Sequence, residues 1–198
     1  SHVVHLPNGV DADRFGAPFP VPDSLADIPR PPVLYVGAME YWFDAALLAE
    51  CAATLPDVSF VLVGPESVRV NQAVEGLANV HVLGPRPYAD IPAYMRHCDV
   101  GIVPFARSEM VDAIHPIKVY EYLAAGLPVV AVRWPELASM GAPVVLCERE
   151  QFCSQLEYVL GGTSAGNLET RLAYAQTNSW DARFEVVQRE VRKVLGSA

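Results

Sequence analysis

Six short apolar runs, most of them separated by segments of helical spacing, constrain the fold of this chain more than any other feature. They lie at residues 33–37, 58–64, 80–84, 100–105, 128–132 and 143–147. The runs are nearly continuous in hydrophobicity and do not alternate, which is typical of strands covered on both faces. Strands that alternate with helices build right-handed βαβ units. The pattern therefore predicts an α/β fold with a doubly wound, mostly parallel sheet of about six strands.

The remaining segments predict helices and divide the chain into parts. Helices are expected at residues 44–55, 67–78, 88–98, 117–125, 148–162, 168–178 and 179–198, the last with Ser179 as N-cap. Residues 1–32 are rich in proline and turn residues and show little periodicity, which indicates a surface connector. We therefore expect a connector over 1–32, one α/β domain over 33–178 and a C-terminal helix over 179–198.

The charge balance limits the classes of partner. The chain carries a formal net charge of −9, has a pI near 4.9 and contains no basic run, which argues against a nucleic-acid partner. No apolar stretch reaches the roughly 18 to 20 residues of a membrane-spanning helix, and the first residues lack the pattern of a signal peptide. We expect a soluble, cytoplasmic domain.

The cysteines predict thiols and no metal site. No CxxC pair and no histidine at ligand spacing accompanies them, so we expect reduced, mostly buried thiols in a reducing compartment. One disulfide pair is the less favoured alternative. The residues are Cys51, Cys98, Cys147 and Cys153.

The stretch HPIKVYEYLAAGLPVVAV, residues 115–132, predicts a helix that leads into a buried strand. Pro116 supplies a preset φ at the helix start, and Gly126 stands where the helix is expected to end. Lys118 and Glu121 lie one turn apart on the same face. They form either an ordinary surface ion pair or part of a ligand site, because phosphates often bind at helix N-termini beyond the carboxyl ends of parallel strands.

Glycines end three of the predicted strands, at Gly37, Gly64 and Gly84. A glycine at such a turn either serves the turn alone or lets a ligand approach the backbone. The first turn, GAMEYWFD at 37–44, lacks the GxGxxG spacing of a dinucleotide fold, and no acidic residue follows at the expected distance. The sequence therefore argues against NAD binding.

Three stretches together resemble the C-terminal, donor-binding domain of GT-B glycosyltransferases, in particular the retaining enzymes of the group 1, or family 4, type. They are LPNGVDADRF at 6–15, NVHVLGPRPYADIPAYMRHCDVGIVPF at 79–105, and residues 115–132. The resemblance implies a Rossmann-like GT-B half-domain with C-terminal helices. It also implies a transferase that moves a sugar from a nucleotide-sugar to a carbohydrate or lipid-linked acceptor in polysaccharide or glycan biosynthesis.

The resemblance further implies partners. Because a GT-B enzyme works in the cleft between two domains, a missing N-terminal, acceptor-binding domain is expected, and this chain is expected to be inactive alone. Peripheral membrane association would come from that domain or from a membrane-associated acceptor. The donor is a nucleotide-diphosphate sugar, used as substrate, with no cofactor or metal required.

By the same resemblance, Glu121 binds the ribose hydroxyls of the donor and Lys118 reaches its diphosphate. The helix start at Pro116 and Ile117 adds free N–H groups toward the phosphates. Arg86 contacts a phosphate or caps its loop, and His115 either lies against the donor or, as the favoured role, caps the helix. The full set of expected substrate-binding residues is Gly37, Arg86, His115, Pro116, Ile117, Lys118 and Glu121. The sequence identifies no catalytic residue.

Two departures from the family pattern leave other functions open. Many retaining relatives carry an Arg and a Lys after the first strand of this domain, and residues 37–47 have neither. That basic pair is therefore either missing or replaced by Lys118, Arg86 or Arg107. The position of a second motif acid holds Ala113, with Asp112 adjacent. A non-catalytic nucleotide-binding or interaction module of GT-B type is the alternative, and a GT-B-like sugar-nucleotide epimerase is a third.

Overall fold

The computed structural model describes residues 3–163 and 166–196, and its centre is one parallel sheet. Six strands pair in the order β3-β2-β1-β4-β5-β6, and every pairing between neighbours is parallel. The strands are β1 (Pro32–Val36), β2 (Ser59–Val63), β3 (Val80–Gly84), β4 (Val100–Val103), β5 (Val129–Val132) and β6 (Val145–Cys147). This is the Rossmann order, with a topological switch between β1 and β4. The predicted fold class is confirmed.

Helices cover the sheet, and the longer ones fall where the sequence predicts them. They are α1 (Ala12–Gly16), α2 (Asp23–Ala26), α3 (Ala45–Thr54), α4 (Val68–Ala73), α5 (Ile91–His97), α6 (Glu109–Asp112), α7 (Ile117–Ala124), α8 (Pro135–Ser139), α9 (Phe152–Leu160), α10 (Leu168–Thr177) and α11 (Trp180–Gly196). A 3-10 turn, Arg149–Gln151, leads into α9. The four unpredicted helices, α1, α2, α6 and α8, have at most five residues, too few for a periodic apolar pattern.

Burial explains why the strand runs are continuous in hydrophobicity. Every residue of β2, β4 and β5 is buried, because helices pack on both faces of the sheet. The edge strand β3 is only partly buried along its length.

The first 32 residues contribute to the core more than a surface connector would. Phe15 on α1 is fully buried and Leu25 on α2 is 5% exposed. Single apolar residues on one-turn helices leave no periodic signal, so the sequence pattern underestimates their burial.

Two cysteines correct the expectation of four thiols. Cys51 on α3 and Cys153 on α9 form a disulfide across 102 residues, with their Cα atoms 5.2 Å apart. Cys98 and Cys147 are buried free thiols. The spacing could not show the pair, because the packing of α3 beside α9 brings the two residues together.

The last helix begins as predicted, with Ser179 Oγ accepting a hydrogen bond from the Ala182 N–H at 3.2 Å. None of the residues described for α11 is buried. Over residues 3–163 and 166–196, no helix combines the length and apolar character that crossing a membrane requires.

Candidate functional site

Helix α7 begins at the carboxyl edge of the sheet with an open N-terminus. Pro116 is its N-cap residue, and no side chain caps this end. Within the described part of the chain, the N–H groups of Ile117 and Lys118 donate to no acceptor, and Ile117 is 41% exposed. Gly126, with φ of +81°, follows the helix end. The predicted helix is confirmed, and its first turn offers free donors and the positive end of the dipole.

Lys118 lies over the topological switch of the sheet. Its Nζ donates to the hydroxyl of Tyr35 on β1 at 3.1 Å and lies 4.2 Å from the centre of the Tyr35 ring. The Phe105 ring, which follows β4, is 4.9 Å away. Among the described residues no carboxylate lies within 4 Å of Nζ, so Lys118 and Glu121 do not form the surface ion pair that the spacing allowed.

The position of Nζ between these rings lowers the pKa of Lys118 to about 7, because burial disfavours the charged ammonium. The negative charge of Glu121 opposes this shift in part. An anion bound beside Nζ would favour the protonated form, so the site is poised to gain positive charge when it binds a phosphate.

Gly37, at the end of β1, leaves room for the lysine. Its φ is +135°, which side-chain-bearing residues rarely adopt, and a Cβ at this position would lie 2.7 Å from Lys118 Nζ. The Gly37 N–H donates to the Val63 carbonyl at 2.9 Å. Gly37 therefore forms the turn, and its lack of a side chain leaves space for the Lys118 ammonium.

Glu121 is 8% exposed, and its carboxylate faces the loop between β3 and α5. Its Oε1 accepts a hydrogen bond from the Tyr88 hydroxyl at 2.8 Å. Burial raises the pKa of Glu121, while the Tyr88 hydrogen bond and the positive charges of Lys118 and Arg14 oppose that rise. Oε2 accepts no hydrogen bond from the residues that the structure describes.

Arg14 and Tyr88 are site residues that the sequence analysis did not single out. The Arg14 guanidinium lies 4.8 Å from the centre of the Tyr88 ring, and the Phe15 ring meets the same ring edge-on at 5.9 Å between centroids. Arg14 makes no side-chain hydrogen bond or ion pair with any described residue. The only sequence signal is its place in the stretch 6–15.

The two other cations considered for the diphosphate, Arg86 and Arg107, already form hydrogen bonds with neighbouring protein groups. Arg86 Nε donates to the Tyr94 hydroxyl at 3.0 Å and one of its terminal nitrogens to the Pro85 carbonyl at 3.1 Å, contacts that match the loop-capping role. Arg107 forms a two-pronged pair with Asp112 at 2.7 and 3.0 Å. Lys118 and Arg14 are therefore better placed than these two to meet an anion.

His115 holds neighbouring elements together and does not cap α7, so the predicted capping role is wrong. Its Nδ1 lies 2.7 Å from Glu136 Oε1, and its Nε2 lies 2.8 Å from the Tyr120 hydroxyl. Its carbonyl accepts a hydrogen bond from Asn8 at 3.0 Å. Both ring nitrogens have partners because the ring lies between α8 and α7, beside the proposed site.

Solved structures share this fold. A sucrose-phosphate synthase from Thermosynechococcus elongatus is 19% identical, with a TM-score of 0.79 over 98% of this chain and 53% of its own. Anabaena HepE, solved with UDP and glucose, is 19% identical, with a TM-score of 0.69 over 96% of this chain and 56% of its own. A trehalose 6-phosphate synthase from Burkholderia multivorans is 20% identical, with a TM-score of 0.71 over 97% of this chain and 50% of its own.

Sequence comparison identifies the family. A Bacillus subtilis (strain 168) protein provisionally named the teichuronic acid biosynthesis glycosyltransferase TuaH is 31% identical over 200 residues, covering 96% of this chain and 49% of TuaH. The chain thus spans about half the length of the relatives it matches. Residues 30–161 match the family described as glycosyl transferases group 1. The family match covers two-thirds of this chain, and TuaH is 31% identical across 96% of it. The chain therefore belongs to the group 1 glycosyl transferases.

Proposed function

We propose that this chain is the donor-binding half of a retaining glycosyltransferase, which moves a sugar from a nucleotide-sugar to a carbohydrate or lipid-linked acceptor. One observation carries the proposal. A single helix, α7, combines an open N-terminus, a partly buried lysine that has no carboxylate partner among the described residues, and a carboxylate one turn later. All three lie at the edge of the sheet where such folds bind ligands.

In this proposal Glu121 binds the ribose of the donor. An ionised carboxylate only accepts hydrogen bonds, so it is suited to two neighbouring hydroxyl donors. Oε1 already takes the Tyr88 hydroxyl, and Oε2 has no partner among the described residues.

Lys118 and the first turn of α7 bind the diphosphate. The free N–H groups and the helix dipole stabilise an anion, and the ammonium adds a point charge. The leaving diphosphate gains negative charge during transfer, so these groups stabilise the transition state without a metal. Arg14 is a further cation for this role, replacing the basic pair that is absent from 37–44.

The relatives support the choice of donor and product class. HepE structures contain UDP with glucose, and UDP-glucose, which makes a uridine nucleotide the first donor to test. The name of TuaH refers to teichuronic acid, which supports a role in polysaccharide biosynthesis.

In this proposal, activity needs an acceptor-binding half. This chain matches only 49% of TuaH, so TuaH is long enough to contain a second domain of that kind. Helix α11 presents a row of exposed apolar side chains at helical spacing, which suits packing against such a half. They are Trp180, Phe184, Val187, Val191 and Val194. We place the protein in the cytoplasm, with any membrane association supplied by that half or by its acceptor.

Calorimetric titration with UDP, GDP and ADP tests the donor site. We expect one of them to bind, and Glu121→Gln and Lys118→Met each to weaken its affinity by about 10- to 100-fold, the range for a hydrogen bond to a charged group. Arg192→Ala, on the exposed face of α11, is the control and should leave affinity unchanged. Absence of binding by all three nucleotides would overturn the proposal.

A non-catalytic nucleotide-binding module is the second candidate, favoured by the absence of a basic residue at 37–44. Such a module would bind the nucleotide and transfer nothing. Transfer of a radiolabelled sugar by this chain joined to an acceptor-binding half separates the two candidates.

A further inference from the structure

The hydrogen bond between Tyr88 and Glu121 connects two elements that the chain places 33 residues apart. Tyr88 belongs to the loop after β3, and Glu121 lies on α7, three residues after Lys118. The hydroxyl-to-carboxylate distance of 2.8 Å is that of a well-formed bond to a charged acceptor.

The Tyr88 ring is held in place although 56% of the residue is exposed. Phe15 meets the ring edge-on and the Arg14 guanidinium lies over it, so α1 fixes the ring from outside the loop. An exposed tyrosine with both its ring and its hydroxyl engaged is restricted in orientation, and so is the carboxylate that accepts from it.

We propose that Tyr88 is a positioning residue for Glu121: its hydroxyl fixes Oε1, so that Oε2 and the second lone pair of Oε1 face the two neighbouring hydroxyls of a ribose. This inference rests on the proposed function. It adds that the fixed orientation of the Glu121 carboxylate makes the site selective for ribonucleotides over 2′-deoxyribonucleotides. A carboxylate free to rotate would bind either sugar with less discrimination.

The charged or titratable groups around the Glu121 carboxylate are Tyr88 from the loop after β3, Lys118 and Tyr122 from α7, and Arg14 from α1. Tyr88, Lys118 and Arg14 each favour the ionised form of Glu121 against the effect of burial. Loss of the Tyr88 hydroxyl therefore raises the pKa of Glu121 and extends the pH range in which its carboxyl is protonated.

The test compares Tyr88→Phe with Tyr158→Phe, a control that removes a hydroxyl from a tyrosine of similar exposure, 58%, on α9. Phenylalanine keeps the ring against Phe15 and Arg14, so the fold is retained. Calorimetry with UDP and 2′-deoxy-UDP at pH 7.5 and pH 5.5 gives the discrimination between the two sugars. Carbon-13 NMR of the Glu121 carboxyl, without ligand, gives its pKa in each variant.

We expect the unmodified chain and Tyr158→Phe to prefer UDP over 2′-deoxy-UDP by roughly tenfold or more, as for a hydrogen bond to a charged acceptor. In Tyr88→Phe this preference should fall several-fold, UDP affinity should fall further at pH 5.5 than at pH 7.5, and the carboxyl pKa should rise.

Equal weakening of both nucleotides, with the carboxyl pKa unchanged, would overturn the positioning role. If the unmodified chain binds none of UDP, GDP and ADP, the proposed function fails and the ribose preference fails with it; if GDP or ADP binds instead of UDP, the comparison is made with that nucleotide and its 2′-deoxy form. The ligand-free titration then still decides whether Tyr88 controls the ionisation of Glu121, so the two failures are distinguishable.

Discussion

The Lys118 ammonium lies 3.1 Å from the hydroxyl oxygen of Tyr35, although Glu121 is one helical turn away on the same helix. A lysine at this spacing from a glutamate usually pairs with it on the helix surface. Here the aromatic side chains at the ends of β1 and β4 hold the ammonium in place of a carboxylate. Among the described residues the ammonium has no carboxylate partner, so an anionic ligand can pair with it and favour its protonated form.

UDP affinity should depend on pH through Lys118. Its pKa is about 7 without ligand, and bound diphosphate raises it, so binding takes up a proton above pH 7. Affinity should fall by up to about tenfold per pH unit from pH 7 to 9, since each unit corresponds to 1.36 kcal/mol. Calorimetry in two buffers of different ionisation enthalpy measures the proton uptake. A pH-independent affinity over this range, or the same dependence in Lys118→Met, would contradict the prediction.

Lys118→Met should stabilise the ligand-free chain at neutral and acidic pH. Between pH 7 and 10.5 the unfolded chain holds a proton that the folded lysine has lost, so the native lysine makes stability rise with pH across that window. Removing a partly buried ammonium should add about 2 kcal/mol to the free energy of unfolding at pH 6. Urea unfolding at pH 6 and pH 9 checks this, and a gain that does not shrink at pH 9 would count against the low pKa.

Gly37→Ala should weaken both folding and nucleotide binding. The new Cβ would lie 2.7 Å from Lys118 Nζ, at a φ of +135° that alanine rarely adopts. We expect a loss of about 1–3 kcal/mol of stability and displacement of the lysine. Gly76→Ala is the matched control, because Gly76 has a φ of +80° with no atom within 4 Å of the added Cβ. If both variants lose UDP affinity equally, the contact with Lys118 has no role in binding.

Removing the Cys51–Cys153 disulfide should destabilise the chain without altering the site. The bond closes a loop of about one hundred residues, and removal of a native disulfide typically costs about 2–5 kcal/mol. Thermal unfolding of the double variant Cys51→Ala/Cys153→Ala measures the loss. Cys98→Ala, at a buried free thiol, is the control for cavity effects. A melting temperature of the native chain that is unmoved by reductant would refute a stabilising role.

The sequence predicted those parts of the fold that local patterns determine. The four central strands, β1, β2, β4 and β5, were recognisable because burial on both faces demands uninterrupted apolar residues. Helix α7 was recognisable because Pro116 and Gly126 mark its ends. Helices α6 and α8 were missed because four or five residues cannot show a helical period. Cys51 and Cys153 carried no local signal for pairing, since their contact depends on how α3 packs beside α9.

The sequence predicted only those parts of the site that a local pattern determines. Lys118 and Glu121 share one helix, so their spacing alone placed them together. Arg14 and Tyr88 come from an early helix and a distant loop, and only the packing of α1 against that loop brings them to Glu121. His115 looked like a cap because it precedes a helix, yet its ring turns to Glu136 on α8, which no pattern near His115 could indicate.

The disulfide between α3 and α9 encloses five of the six strands, from β2 to β6, within one closed ring of chain. A protease that cuts any loop inside that ring, including the one bearing Tyr88, leaves both pieces attached to each other. Such a nicked molecule runs as a single band on a gel until a thiol reagent is added. Limited digestion with and without reductant thus reports on the loops around the site while the scaffold stays in one piece.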